Sequence, residues 1–185
     1  MPKILAIDAA TQCGLASGEA GEIPRLGTEQ FGDSGDNQLE VGARCLRWIA
    51  HRLTDDRPDE IWMEEPLPFG GKEGQSSAAS RLRLTGLVMV IGSAARLKGV
   101  PVHMVRITTA RKGFIGHGGL KREIAKKRSR AMCRLLGWNP MNDDEADAGC
   151  IFWFASLAHG KAPLISKLMH KQCVEVVPFR RRVAA

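Results

Sequence analysis

The chain has 185 residues, 44% hydrophobic and 25% charged, with a formal net charge of +7. That length suits one domain over residues 1–185 with a substantial core and a basic tail at 178–185, and is too short for two large domains. No apolar run is long enough to span a bilayer, and the N-terminus opens in a strand pattern rather than as a signal peptide.

Residues 3–9 alternate in polarity and carry Asp8 at their end, a first strand. Cys13 to Gly18 reads as its hairpin partner across a link at 9–12. Ile23 to Phe31 reads as a third strand, weakened by Pro24 and Gly27. Asn37 to Leu53 is an amphipathic helix in which Leu39, Ala43, Leu46, Ile49 or Ala50, and Leu53 recur at helical spacing. Asp59 to Glu65 is a fourth strand, stopped by Pro66 and Pro68, and 66–76 is a Gly/Pro-rich loop. Ser77 to Lys98 is a long helix, apolar from Leu82 to Leu97 and expected to be buried on two sides. Pro101 to Val105 is a fifth strand. Residues 108–119, with Lys112, Phe114 and Gly116-His117-Gly118-Gly119, read as a flexible basic loop. Leu120 to Leu136 is a basic helix closed by Gly137, Asn142 to His159 is the last clear helix, and Val174 to Val177 is a short strand. This order predicts an α/β fold with a mixed sheet, its hairpin antiparallel and its later strands joined by helical crossovers.

The charge is concentrated. Between Arg111 and Arg134 there are nine Lys/Arg and one acid, Glu123, so that segment carries +8 and the remainder sums to −1. Arg180-Arg181-Arg182 forms a second cluster. Focused positive charge favours a polyanionic partner such as nucleic acid over the plainer reading of a solvated helix face. The five cysteines (Cys13, Cys45, Cys133, Cys150, Cys173) are odd in number and lack CxxC spacing. They read as reduced thiols of a cytoplasmic protein, and no Cys/His pair has zinc-ligand spacing.

Acids stand at the ends of three apolar elements. Asp8 ends the first strand, Glu64 and Glu65 follow Ile61-Trp62-Met63, and Asp143, Asp144, Glu145 and Asp147 open the last helix. Asn142 and Glu145 have capping-box spacing, and acids in a first turn suit the helix dipole. Asp147 has no such structural role. With Asp144 it shares a stripe that continues to Ile151, Phe154 and Ala158, which puts both carboxylates at the rim of the core. Neighbouring strand residues face opposite ways, so only one of Glu64 and Glu65 can join Asp8, and the strand alone does not choose. An all-oxygen donor set favours Mg²⁺ or Mn²⁺, and a pair of such ions can activate water against a phosphodiester.

In order and spacing, Ile4 to Ala16, Trp62-Met63-Glu64-Glu65-Pro66 and Asp144-Glu145-Ala146-Asp147-Ala148 resemble the three acidic motifs of the RuvC-type Holliday junction resolvases. Ser80 to Val102 resembles that family's long helix and following strand. The resemblance implies a ribonuclease H-like mixed five-stranded sheet flanked by helices. It also implies metal ligands at Asp8, Glu64, Asp144 and Asp147, and favours Glu64 over Glu65. Lys112 and Lys127 (or Lys126, the register being open) match the family's catalytic lysines. The implied activity is Mg²⁺-dependent hydrolysis of Holliday junctions or related branched DNA, with Mn²⁺ as a substitute, by a homodimer that has no membrane partner. Arg111, Lys112, Lys121, Arg122, Lys126, Arg128 and Arg130 would hold the DNA backbone. Phe69 and Phe114 would stack on unpaired bases, with core packing as the competing reading for both and Leu67 as the alternative to Phe69 for opening the junction. Asp8-Ala9-Ala10 replaces the usual Asp-Pro-Gly, and Gly113 to Gly119 is longer than in bacterial members, which points to a divergent, phage- or plasmid-type chain. The rival is a protein of the same fold that binds nucleic acid or serves as a scaffold without cutting.

Overall fold

The computed structural model describes residues 1–33, 35–66 and 78–161. Most of the loop expected at 66–76, Phe69 and Leu67, the strand at Val174 to Val177 and the basic tail lie outside the described residues.

The five expected strands form one sheet. They are β1 (Lys3–Asp8), β2 (Gln12–Glu19), β3 (Arg25–Gln30), β4 (Glu60–Glu64) and β5 (Val102–Val105), in the order β3-β2-β1-β4-β5. The β1-β2 and β2-β3 pairs are antiparallel, and β1-β4 and β4-β5 are parallel. The parallel strands are joined by α1 (Gln38–Asp55) and α2 (Ala78–Leu97), as crossovers require.

Side chains alternate between two cores. Ile4, Ala6 and Trp62 face α3 (Ile107–Ile115), α4 (Arg122–Leu135) and α5 (Asp143–Ala158). Leu5, Ile7, Ile61 and Met63 face α1 and α2. Helix α5 is the hub of the first core. It lies against β1, β2, β3 and β4 as well as α3 and α4, and every residue from Glu145 to Trp153 is buried. The single core-facing stripe expected of it understates this, because a helix enclosed by a sheet and two helices has almost no solvent side.

Three expectations are corrected. Residues 107–115 form helix α3 rather than the first part of a loop. Gly113 reads as a breaker in sequence, but a Cβ there would lie 2.8 Å from the Trp153 ring, so the glycine lets α3 approach α5. The buried stripe of α1 is Val41, Cys45, Ile49 and Leu53, while Leu39, Ala43, Leu46 and Ala50 face outward. The other face of α2 is not covered among the described residues: Leu87, Val88, Ile91 and Ala95 are buried, but Met89 is 61% and Leu97 88% exposed. No helix among the described residues is long and apolar enough to cross a membrane.

Candidate nuclease site

Strand parity selects the acids. Ile7 pairs with Met63 in the parallel β1-β4 ladder, so Asp8 and Glu64 are the next residues on neighbouring strands. Both continue the even-numbered face that packs on α5. Glu65 takes the opposite direction and forms an exposed ion pair with Arg106 at 3.1 Å.

Helix α5 supplies the other two acids, and its start is fixed from two sides. Gly14 stands opposite Asp8 in the β1-β2 register. A Cβ at Gly14 would lie 2.0 Å from the Asp144 carbonyl oxygen, so only glycine lets the first turn of α5 rest on β2. Glu145 then ties the cap together. Its N–H donates to Asn142 Oδ1 (2.9 Å), while its carboxylate accepts from Met141 N–H (2.7 Å) and from the Thr28 hydroxyl (3.0 Å). Asn142 Nδ2 in turn donates to Thr28 Oγ1 (2.8 Å). Glu145 is thus a buried cap, as the sequence predicts, and the sheet edge holds the turn that carries Asp144.

The four acids share one electrostatic environment. Burial is the main force raising the Asp8 carboxyl well above its ordinary range, followed by the charges of Asp147, Glu64 and Asp144; Asp8 also shares a hydrogen bond with Glu64. Burial raises Glu64 too, then Asp147 adds to the shift, against the opposing pull of Arg111 and Arg122. Asp147 is 4% exposed. Its carboxyl is raised by burial despite a forked ion pair from Arg111, with Nε at 3.2 Å and Nη2 at 2.7 Å from its two oxygens. An ion pair alone would lower it, so desolvation wins. Lys126 lies 3.8 Å from Asp144 and 3.6 Å from Asp143, and Arg130 lies 3.6 Å from Asp143.

Arg111 is paired with Asp147, and Lys126 is shared between Asp143 and Asp144, so Asp8 and Glu64 have no ion-pair partner among the described residues. The donor set is all oxygen and suits a hard cation. Among the described residues, no three His, Cys, Asp or Glu side chains already stand as a coordination shell. Electrostatic proximity and ligand geometry therefore disagree. The fork of Arg111 occupies both oxygens of Asp147, so that acid in particular is turned to a guanidinium and not to a shared centre.

Basic residues of α4 line an open groove of about 700 Å³ beside the acids: Arg122, Lys126, Lys127, Arg130 and Arg134, with Glu123 and Asp143 among them. Lys126 rather than Lys127 turns toward the carboxylates; Lys127 is exposed along the groove. Lys112 is exposed on α3, and its neighbour Arg111 is the α3 residue that reaches the acids. Lys121 and Arg128 are exposed on α4 or at its start. Phe114 is corrected outright. At 2% exposure it packs against Trp138 and Trp153, so it serves the core and not a base stack. Sequence reading missed the pairing of Arg111 and the roles of Gly14 and Thr28. A glycine inside a strand was the available signal for Gly14.

No family model matches the chain, and no curated protein matches its sequence. Solved structures do. A T. thermophilus RuvC in complex with a Holliday junction substrate is 21% identical, with a TM-score of 0.65 over 88% of this chain and 99% of that one. A second Thermus thermophilus RuvC structure is 20% identical, with a TM-score of 0.58 over 87% and 98%. The yeast mitochondrial Holliday junction resolvase is 14% identical, with a TM-score of 0.56 over 90% and 83%. The chain has the RuvC fold. That is the ribonuclease H-like sheet expected from the acidic motifs.

Proposed function

We propose that this chain is a metal-dependent endonuclease that hydrolyses a phosphodiester in Holliday junctions or related branched DNA. The observation that carries the reading is the mutual electrostatic influence of Asp8, Glu64, Asp144 and Asp147, from two strands and one helix of a RuvC fold, with Asp147 buried and the other three half-buried. These four residues would hold Mg²⁺, with Mn²⁺ as a substitute. When bound, the metal would supply water activation and neutralise charge developing on the phosphate.

The chain's own residues do the rest. Asp8 feels the charge of all three other acids and orients with Glu64 through their shared hydrogen bond. Arg111 and Lys126 offer positive charge at the point where phosphate oxygens would gain it, and Lys112 and Lys127 stand further out. Lys121, Arg122, Arg128 and Arg130 grip the flanking backbone without reading bases. A four-way junction presents two symmetry-related strands, which a two-fold dimer would cut together. The apolar groove between α1 and α2, lined by Leu46, Leu53, Met89, Val90 and Leu97, is the face assigned to the second copy. Met89→Glu should shift the protein to monomer in sedimentation velocity and leave single nicks in place of paired ones. An unchanged mass would remove this face from the proposal.

The decisive experiment compares a labelled four-way junction with linear duplex across a Mg²⁺ titration. Wild type should give symmetric nicks only in the junction, and Asp8→Asn should bind it without cutting. Binding by wild type with no product at any metal concentration would favour the non-cutting member of the fold, and equal cutting of duplex would remove the junction.

A further inference from the structure

Arg111 occupies an unusual place for a DNA-gripping residue. Its side chain is only 12% exposed, and its fork spans both oxygens of Asp147 inside the acidic cluster. It also pulls electrostatically on Glu64. Asp147 cannot keep that fork and also turn both oxygens to a divalent cation, since guanidinium and cation would then repel each other across a few ångströms of poorly screened space. Leaving Asp147 unpaired is not an option either, because a buried lone carboxylate is strongly unfavourable.

Resting on the metal-site reading above, we propose that Arg111 is the resident counter-ion of Asp147, that it exchanges with metal, and that the phosphate of bound DNA receives its released guanidinium. The rigid planar fork that fits Asp147 fits a phosphate equally well. The destination is close, because Arg122 and Lys126 of the basic groove already act on Glu64 and Asp147. Lys126, paired with Asp144 at 3.8 Å, follows the same course more weakly. The consequence is thermodynamic. Metal binds poorly to the free protein because it must displace Arg111 into solvent, and binds better when a phosphate takes that charge. By linkage, metal must tighten DNA binding by the same factor.

The test reads Mn²⁺ uptake directly, as loss of the free-ion signal in electron paramagnetic resonance, with no turnover needed. It uses full-length wild type, Arg111→Gln, Arg111→Lys and Asp8→Asn. Each is measured alone and with a four-way junction carrying phosphorothioate linkages around the branch point. Without DNA, Arg111→Gln should bind Mn²⁺ about tenfold more tightly than wild type. The junction should tighten Mn²⁺ binding to wild type and do so far less for Arg111→Gln. Arg111→Lys keeps the charge but loses the fork and should fall between them; it carries the test if the Gln variant does not fold. Mn²⁺ affinity in the Arg111 variants equal to or below that of wild type, with Asp8→Asn abolishing uptake, would overturn the exchange and leave the metal site standing. Uptake unchanged in Asp8→Asn would instead overturn the site and, with it, this inference.

Discussion

Glu60 and Glu64 stand at the two ends of the same five-residue strand, on the same face, and have opposite surroundings. Glu60 is buried among donors. Trp62 Nε1 donates to its Oε1 at 2.9 Å, and the ring nitrogens of His159 and His103 lie 2.6 and 3.4 Å from its two oxygens. It ties the C-terminal end of α5 to the sheet, and His103 stacks on Trp62 beside it. Glu64 is half-buried, and loss of water first and the charge of Asp147 second push its proton affinity up. The pair teaches that residue type, strand and facing do not make a carboxylate functional. A carboxylate whose neighbours satisfy it holds the fold together. One whose neighbours oppose it destabilises the fold and is available for a ligand.

The largest effect should come from exchanging charge for amide at both ends. Glu64→Gln should lower junction cleavage by roughly a thousandfold, the scale on which one charge-stabilising group acts, without lowering the melting temperature. Glu60→Gln should do the reverse, costing about 1–2 kcal/mol of stability through its donors while leaving cleavage per folded molecule within a few-fold. Paired melting curves and single-turnover rates decide it. The comparison breaks if Glu60→Gln is the inactive variant.

A smaller effect tests how the acid end is assembled. Gly14→Ala must push the first turn of α5 away from β2, since the added carbon would sit on the Asp144 carbonyl. The expected loss is about 1–3 kcal/mol in stability, together with a higher Mg²⁺ requirement for cleavage. Thr28→Val, which removes a hydrogen bond to Glu145 and leaves the backbone room, should show a milder version of the same metal requirement. An unchanged Mg²⁺ requirement in Gly14→Ala would mean that Asp144 does not depend on this seat.

The smallest effect is in the pH dependence of metal-free stability. The Asp8 carboxyl ordinarily titrates near 3.8 and is held well above that in the folded chain, so between the two values the folded state binds more protons than the unfolded one. Its favourable contribution is complete below about pH 3.8 and is lost as pH rises through the raised value. Asp8→Asn should therefore be more stable than wild type at pH 7 in chelator, and the difference should shrink on acidification. Denaturant midpoints across that range measure it, and saturating Mg²⁺ should remove the wild-type deficit. A wild type more stable than Asp8→Asn at pH 7 in chelator would place a favourable partner at Asp8 instead.

Much of this was legible in the chain. The succession of strands along the chain followed from alternation and turn residues, and the Asn142/Glu145 cap from spacing alone, because both depend on neighbours within a few positions. Acids at the ends of three apolar elements were visible, and Asp147 was the one without a local structural reason; the choice of Glu64 over Glu65 and the set Asp8, Glu64, Asp144 and Asp147 came from the family resemblance. The helix at 107–115 was not visible. Its glycine argues against a helix locally, and only the Trp153 ring it packs against argues for one.

What the sequence determined by itself was therefore the set of elements with strong local periodicity, the concentration of positive charge between Arg111 and Arg134, and the candidate acids at the ends of apolar elements. Tertiary structure decided which of them meet and what they meet. The β1-β4 register turned Glu64 inward and Glu65 out. The packing of α3 sent Arg111 to Asp147 and Phe114 into the core. The absence of a side chain at Gly14 brought the start of α5 to Asp8. Each of these choices depends on distances between residues far apart in the chain, and local composition carries no record of such distances.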